Sequence, residues 1–231
     1  MIPTAVVMGT GPSLTREVIA TAVRGQELGA WALYGCNHTW RVVPSLDTFL
    51  SCNVEYFESE WELGLKQHRA EKWIAVDDAQ PERFAAAMKF GLNVKAGQWG
   101  EGFSRDPRFI NYGHSSGFQL PQVAVHDGYR RLLLVGYDLK FARDYDGHNH
   151  RIGSLPRHFF GEYEDERLQH WPSKRVVNGV HEELVAQFVK VKALNPDVQI
   201  IVCSGDSALN EHFPTATLTE LLDEWAILSP V

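Results

Sequence analysis

"VVMGTGPSLT", residues 6–15, is a run of apolar, mostly β-branched residues that breaks at Gly9-Thr10-Gly11-Pro12-Ser13 and resumes as a helical pattern. Gly9 and Gly11 let a backbone turn sharply and approach a ligand with no Cβ in the way. Pro12 and Ser13 suit a helix start, whose free N–H groups and positive dipole end attract phosphate. The stretch therefore reads as strand, tight loop and helix, the loop being a candidate cradle for phosphate or ribose. The third glycine of GxGxxG is missing and no P-loop lysine follows, so a plain strand-to-helix turn carries the same signature.

Working outward, short runs rich in Val, Ile and Leu recur at 31–35, 47–51, 73–76, 132–136 and 198–203, in addition to 4–8. Such runs suit strands buried on both faces of a parallel sheet. Helical patterns lie between them, at about 14–25, 54–70, 80–90, 116–129, 178–194 and 217–227. The alternation predicts a doubly wound α/β fold with a mostly parallel sheet. Two stretches break the rhythm: 92–114, rich in Gly, Asn and aromatic residues, and 139–177, dense in His, Asp, Arg and Pro. Loops of that length are usually functional. The expectation is one domain over 1–231, with 139–177 a lid-like insertion folding over the ligand.

A parallel strand presents ligand groups at its carboxyl end. In "LYGCNHTW", residues 33–40, Asn37 stands at such an end, where its amide could read a base or ribose or simply cap the next turn. In residues 111–141, Ser115, Ser116 and Gly117 open an apolar helix, and the strand 132–136 delivers Tyr137 and Asp138. Two helix starts facing one crevice would make a nucleotide site.

These residues also carry a family resemblance. "VVMGTGPSL", "YGCN", "SSG" followed by "VAVHDGYRRLLLVGYDLKF", and "VCSGDSALNEHFP" resemble, in order and spacing, the landmarks of the bacterial lipooligosaccharide sialyltransferases of glycosyltransferase family 42. They are similar, too, to a wider set that includes phage proteins and archaeal-type 6-hydroxymethylpterin diphosphokinases. The resemblance implies a Rossmann-like single domain that binds a CMP-sugar without a metal ion or other cofactor. It assigns Gly9, Gly11 and Ser13 to the nucleotide, Asn37 to the ribose or sugar phosphate, Ser115, Ser116 and Gly117 to cytidine and phosphate, Asp138 to base or sugar, and Ser207 to a loop closing the pocket.

The family's general base is a histidine just before the last long helix. Here His181 is the nearest candidate, several residues late, and His170 is the alternative. For groups that hold the leaving phosphate, Tyr145, Arg157 and His158 on the insertion are the candidates. Sugar transfer asks for such a base and such donors. Asp144, Asp146, His148 and His150 would face one side of a strand and could ligate a metal, but Gly147 and Asn149 read as a hairpin turn, and no metal is expected.

Bulk properties bound these readings. A formal net charge of -7 disfavours DNA as a partner and favours a nucleotide-activated sugar with a small-molecule, glycan or nucleoside acceptor. No apolar run reaches the roughly 18 residues of a membrane span, and no signal peptide opens the chain, so a cytoplasmic protein is expected, in the host cytoplasm if phage-encoded. Cys36, Cys52 and Cys203 lack any CxxC spacing and read as reduced core or near-core thiols. Oligomeric state is left open, homo-oligomers included. The functional expectation is a metal-independent, nucleotide-sugar-dependent glycosyltransferase with a histidine base. Its alternatives are a magnesium-dependent diphosphokinase and a non-catalytic nucleotide-sequestering module.

Overall fold

The computed structural model describes residues 2–76, 81–113, 115–140, 164 and 174–228, the side chains of 174–181 excepted. Its centre is one eight-stranded sheet in the order β6-β5-β4-β3-β2-β1-β7-β8. The strands are β1 (Thr4–Met8), β2 (Ala32–Cys36), β3 (Thr48–Leu50), β4 (Glu71–Val76), β5 (Asn93–Gln98), β6 (Phe109–Asn111), β7 (Arg131–Val135) and β8 (Gln199–Val202). Every neighbouring pair is parallel. This is the Rossmann-like, doubly wound architecture the alternation predicts.

The connecting helices are α1 (Arg16–Glu27), α2 (Thr39–Val42), α3 (Val54–Glu60), α4 (Pro81–Phe90), α5 (Ser116–His126), α6 (Lys174–Leu194) and α7 (Leu218–Leu228). A strand turns alternate side chains to opposite faces, so β1 feeds two cores at once. Ala5 and Val7 pack with Phe118, Val123, Phe188 and Val191 of α5 and α6. Val6 and Met8 pack with Leu33, Phe49, Phe57, Ala86 and Leu221 on the face covered by α1, α3, α4 and α7. Burying each of the larger side chains contributes about 1.5–3 kcal/mol, which is why the central strands read as unbroken apolar runs.

The stretch 92–114, expected to be irregular, contains β5 and β6. Asn93, Lys95 and Gln98 interrupt the apolar pattern of β5, and β6 is only three residues long. Both lie at the open end of the sheet, where a strand needs less apolar surface. The helix expected over 54–70 is shorter: α3 runs into a π-helical turn, Trp61–Leu65. The helix expected from 178 begins at Lys174. Apart from Leu139, Lys140, Glu164 and the backbone of 174–177, the 139–177 insertion lies outside the described residues. Among the described residues no helix is long and apolar enough to cross a membrane.

Candidate functional site

From β1 the chain winds outward through β2 to β6, and from β7 it winds the other way to β8. The order reverses between β1 and β7, and a doubly wound sheet opens its ligand crevice outside the carboxyl ends of the strands at such a point. Gly9 and Gly11 leave β1 there, Gly136, Tyr137 and Asp138 leave β7, and Asn37 leaves β2.

The two central loops interlock. Gly9 N–H donates to Val135 O and Gly11 N–H to Gly136 O, both at 2.8 Å. A Cβ on Gly9 would stand 2.5 Å from Gly136 O, and one on Gly11 would stand 2.7 Å from it and closer still to the Asp138 carboxylate. These glycines are therefore required by the fit of one loop against the other. Ser13 completes the junction: its hydroxyl donates to Asp138 Oδ2 at 2.8 Å, and its N–H lies 3.2 and 3.3 Å from the two carboxylate oxygens. Burial pushes the Asp138 carboxyl above its ordinary range, the Ser13 hydrogen bonds pull it back, and the nearby Asp206 charge adds to the rise.

The β7 loop is pinned from behind. Tyr137 N–H donates to Ser204 Oγ at 2.8 Å, and Ser207 Oγ donates to Tyr137 O at 2.5 Å. Ala208 N–H donates to Asp138 O at 2.9 Å, and Leu139 is left-handed with φ 46°. Ser207, 2% exposed, thus spends its hydroxyl on the loop's backbone. Tyr137 reaches across to α5, its buried hydroxyl donating to Gly117 O at 2.8 Å.

The third element is the start of α5. Ser115 is its N-cap, accepting from Phe118 N–H at 3.1 Å, and the Ser116 and Gly117 N–H groups, in the first turn, have no acceptor among the described residues. Ser116 Oγ accepts from Cys52 N–H at 2.9 Å and directs its own proton to Cys52 Sγ at 3.2 Å or Asn37 Oδ1 at 3.5 Å. Ser51 Oγ also donates to Asn37 Oδ1, at 3.2 Å. Asn37 is left-handed with φ 48°, a conformation asparagine tolerates better than most residues.

Gly9, Gly11, Ser13 and Asp138 therefore form one cluster, and Asn37, Ser116 and Cys52 a second, bridged by Tyr137 and Gly117. Ser51 and Cys52 were missed in the sequence, although "SCN" at the exit of the run 47–51 places them at a strand's carboxyl end like "CN" at 36–37. Cys36 and Cys203 are buried and Cys52 is half-buried at the crevice. His38, beside Asn37, is buried with Nδ1 2.7 Å from the Tyr56 hydroxyl.

His181 falls in the second turn of α6, and its side chain is among those not described. His170, Tyr145, Arg157, His158 and the 144–150 cluster lie outside the described residues. Among the described residues no three His, Cys, Asp or Glu side chains gather to hold a metal.

A groove of about 790 Å³ opens at the opposite edge, among Thr4, Trp31, Asp47, Tyr129, Arg131 and Trp225. It lies at the amino ends of the strands, among the loops that lead into β1, β2, β3 and β7, whereas a doubly wound sheet opens its ligand crevice at the carboxyl ends, so topology places the candidate site elsewhere. No protein-family model, no curated protein and no solved structure matches the chain.

Proposed function

We propose that this chain is a nucleotide-dependent transferase that takes a sugar from a nucleotide-activated donor and passes it to a hydroxyl acceptor. The observation that supports this reading is the convergence, at the reversal of strand order, of the β1 and β7 loops with a helix start whose first two N–H groups have no acceptor among the described residues. The N–H groups of Ser116 and Gly117 would face the donor's phosphate and the Asn37 amide its sugar. As the glycosidic bond to phosphate breaks, the α5 N-terminus would stabilise the departing nucleotide's charge. A base then takes the acceptor's proton, and a histidine suits that task near neutral pH. His181 and His170 are the candidates.

The half-buried Asp138 carboxylate in the same crevice favours a second reading, a diphosphokinase in which it would help to hold magnesium with ATP.

The test is turnover of CMP- and UDP-sugars in EDTA, followed by release of the free nucleotide, alongside ATP with magnesium. Nucleotide release in EDTA supports the glycosyltransferase. Turnover of ATP alone, and only with magnesium, replaces it with the kinase. Binding of either without turnover leaves a sequestering module.

A further inference from the structure

The groove at the amino edge of the sheet, about 790 Å³, has the size of a small-molecule site. Its floor includes a rung of residues in register across three strands: Thr4 of β1 pairs with Arg131 of β7, and Arg131 with Gln199 of β8. Side chains alternate between the two faces along a strand. Leu133 and Val135, two and four residues after Arg131, belong to the core that holds Trp31, Leu33 and Leu221. Arg131 thus occupies the position on β7 where that core would continue, and the residue there is a half-buried arginine. Its neighbour Arg130 donates from Nη1 to Val125 O at 2.7 Å and lies 3.4 Å from the Asp197 carboxylate. Arg131, in contrast, has no side-chain partner among the described residues, and its Nε is shut off from solvent without an acceptor. A guanidinium so placed costs stability, so packing does not explain it. The walls beside it are apolar and aromatic, with Trp31, Trp225, Pro3 and Leu228 in the lining. Trp31 is held in place by its indole N–H, which donates to Ala22 O at 2.8 Å, and its ring fills the space a side chain at Gly25 would need.

We infer that this groove is a second ligand site, which binds a small organic monocarboxylate with an apolar body, its carboxylate on the Arg131 guanidinium and its body against Trp225 and Trp31. The inference stands apart from the nucleotide reading. A guanidinium meets a carboxylate through two parallel N–H donors, and that pairing supplies the counter-charge the chain itself does not. Gln199, in register with Arg131, brings an amide donor to the same rung. Asp47 and Glu224 stand in the lining as well. Their charges repel a multiply charged anion more strongly than a single carboxylate, so phosphate is disfavoured here.

The experiment is isothermal titration of the intact protein, and of its Arg131→Met variant, with benzoate, indole-3-acetate and inorganic phosphate, together with the melting temperatures of both proteins without ligand. Methionine keeps an unbranched side chain and removes the charge, and the comparison of carboxylates with phosphate needs no variant at all. The parent should bind the two carboxylates in preference to phosphate. Arg131→Met should weaken the better of them by roughly 10- to 100-fold, the scale of hydrogen bonds to a charged group, while the melting temperature stays level or rises. Phosphate bound more tightly than both carboxylates, no carboxylate binding at millimolar concentration, or affinity unchanged in the variant overturns the inference. A variant that melts well below the parent overturns it too, because Arg131 would then serve the fold. None of these results bears on nucleotide binding at the carboxyl ends.

Discussion

The Ser13 hydroxyl donates to Asp138 Oδ2 at 2.8 Å, joining residues 125 positions apart in the chain and locking the loop after β1 to the loop after β7. The junction sits where strand order reverses, so the contact that closes the fold also furnishes the crevice. Its hydrogen bonds, glycines and charge each make a separate consequence measurable.

Gly11→Ala should destabilise the protein by about 3 kcal/mol, because the new Cβ runs into Gly136 O and the Asp138 carboxylate and backbone must move to admit it. Urea denaturation followed by circular dichroism checks this. A loss below about 0.5 kcal/mol would mean the loops are not packed as described.

Asp138→Asn should leave the protein as stable or more stable at pH 7. The folded-state pKa of Asp138 is raised, so between its unfolded and folded values the native protein holds more protons than the unfolded chain. Stability attributable to this group therefore falls as pH rises through that window and stays lower above it. Comparing the melting temperatures of variant and parent, any advantage of the variant should shrink as pH drops towards the ordinary carboxylate value. An advantage that grows on acidification has the wrong sign.

Ser116→Ala removes the acceptor of Cys52 N–H and should cost about 1–2 kcal/mol of stability while weakening nucleotide binding. Asn37→Ala carries a backbone penalty of about 1 kcal/mol on top, because alanine resists the left-handed conformation at φ 48°. Asn37→Asp keeps the conformation and the acceptor for Ser51 while exchanging the amide donors for a negative charge, so it should weaken nucleotide binding without the backbone penalty. Titrations on the three variants separate these effects, and unchanged nucleotide affinity in all three would remove these residues from the site.

Iodoacetamide should label Cys52 well before the other two cysteines in the native protein. Cys36 and Cys203 are buried, and burial pushes both thiols up to about 12, whereas Cys52 is half-buried at the crevice. Peptide mass spectrometry gives the order, and bound nucleotide should slow the Cys52 reaction. Labelling of Cys36 first would contradict the described packing.

The central strands were legible because they are buried on both faces. Val6, Val7 and Met8 have no exposed side, and the run in sequence is the strand in space. β5 escaped notice because Lys95 sits within it, its ammonium 4.8 Å above the Trp73 ring and hydrogen-bonded to Pro107 O at 2.8 Å, a solution no local pattern announces. In the candidate crevice, the glycines and serines were named from the sequence by type, but the partners they meet in the fold were not. That Gly11 yields space to Asp138 depends on two loops meeting from opposite ends of the chain. Cys52 was read as a near-core thiol because its neighbour Ser116 is 64 residues away.

The most direct measurement is hydrogen–deuterium exchange of the protein with and without a saturating nucleotide. Slowed exchange should appear in the segments around 9–15, 36–38, 51–53, 115–118 and 136–139, which meet at the carboxyl ends of β1, β2, β3 and β7 and at the start of α5. Slowing confined to Thr4, Trp31, Arg131 and Trp225, around the groove at the amino edge, would contradict nucleotide binding at the strand-order reversal.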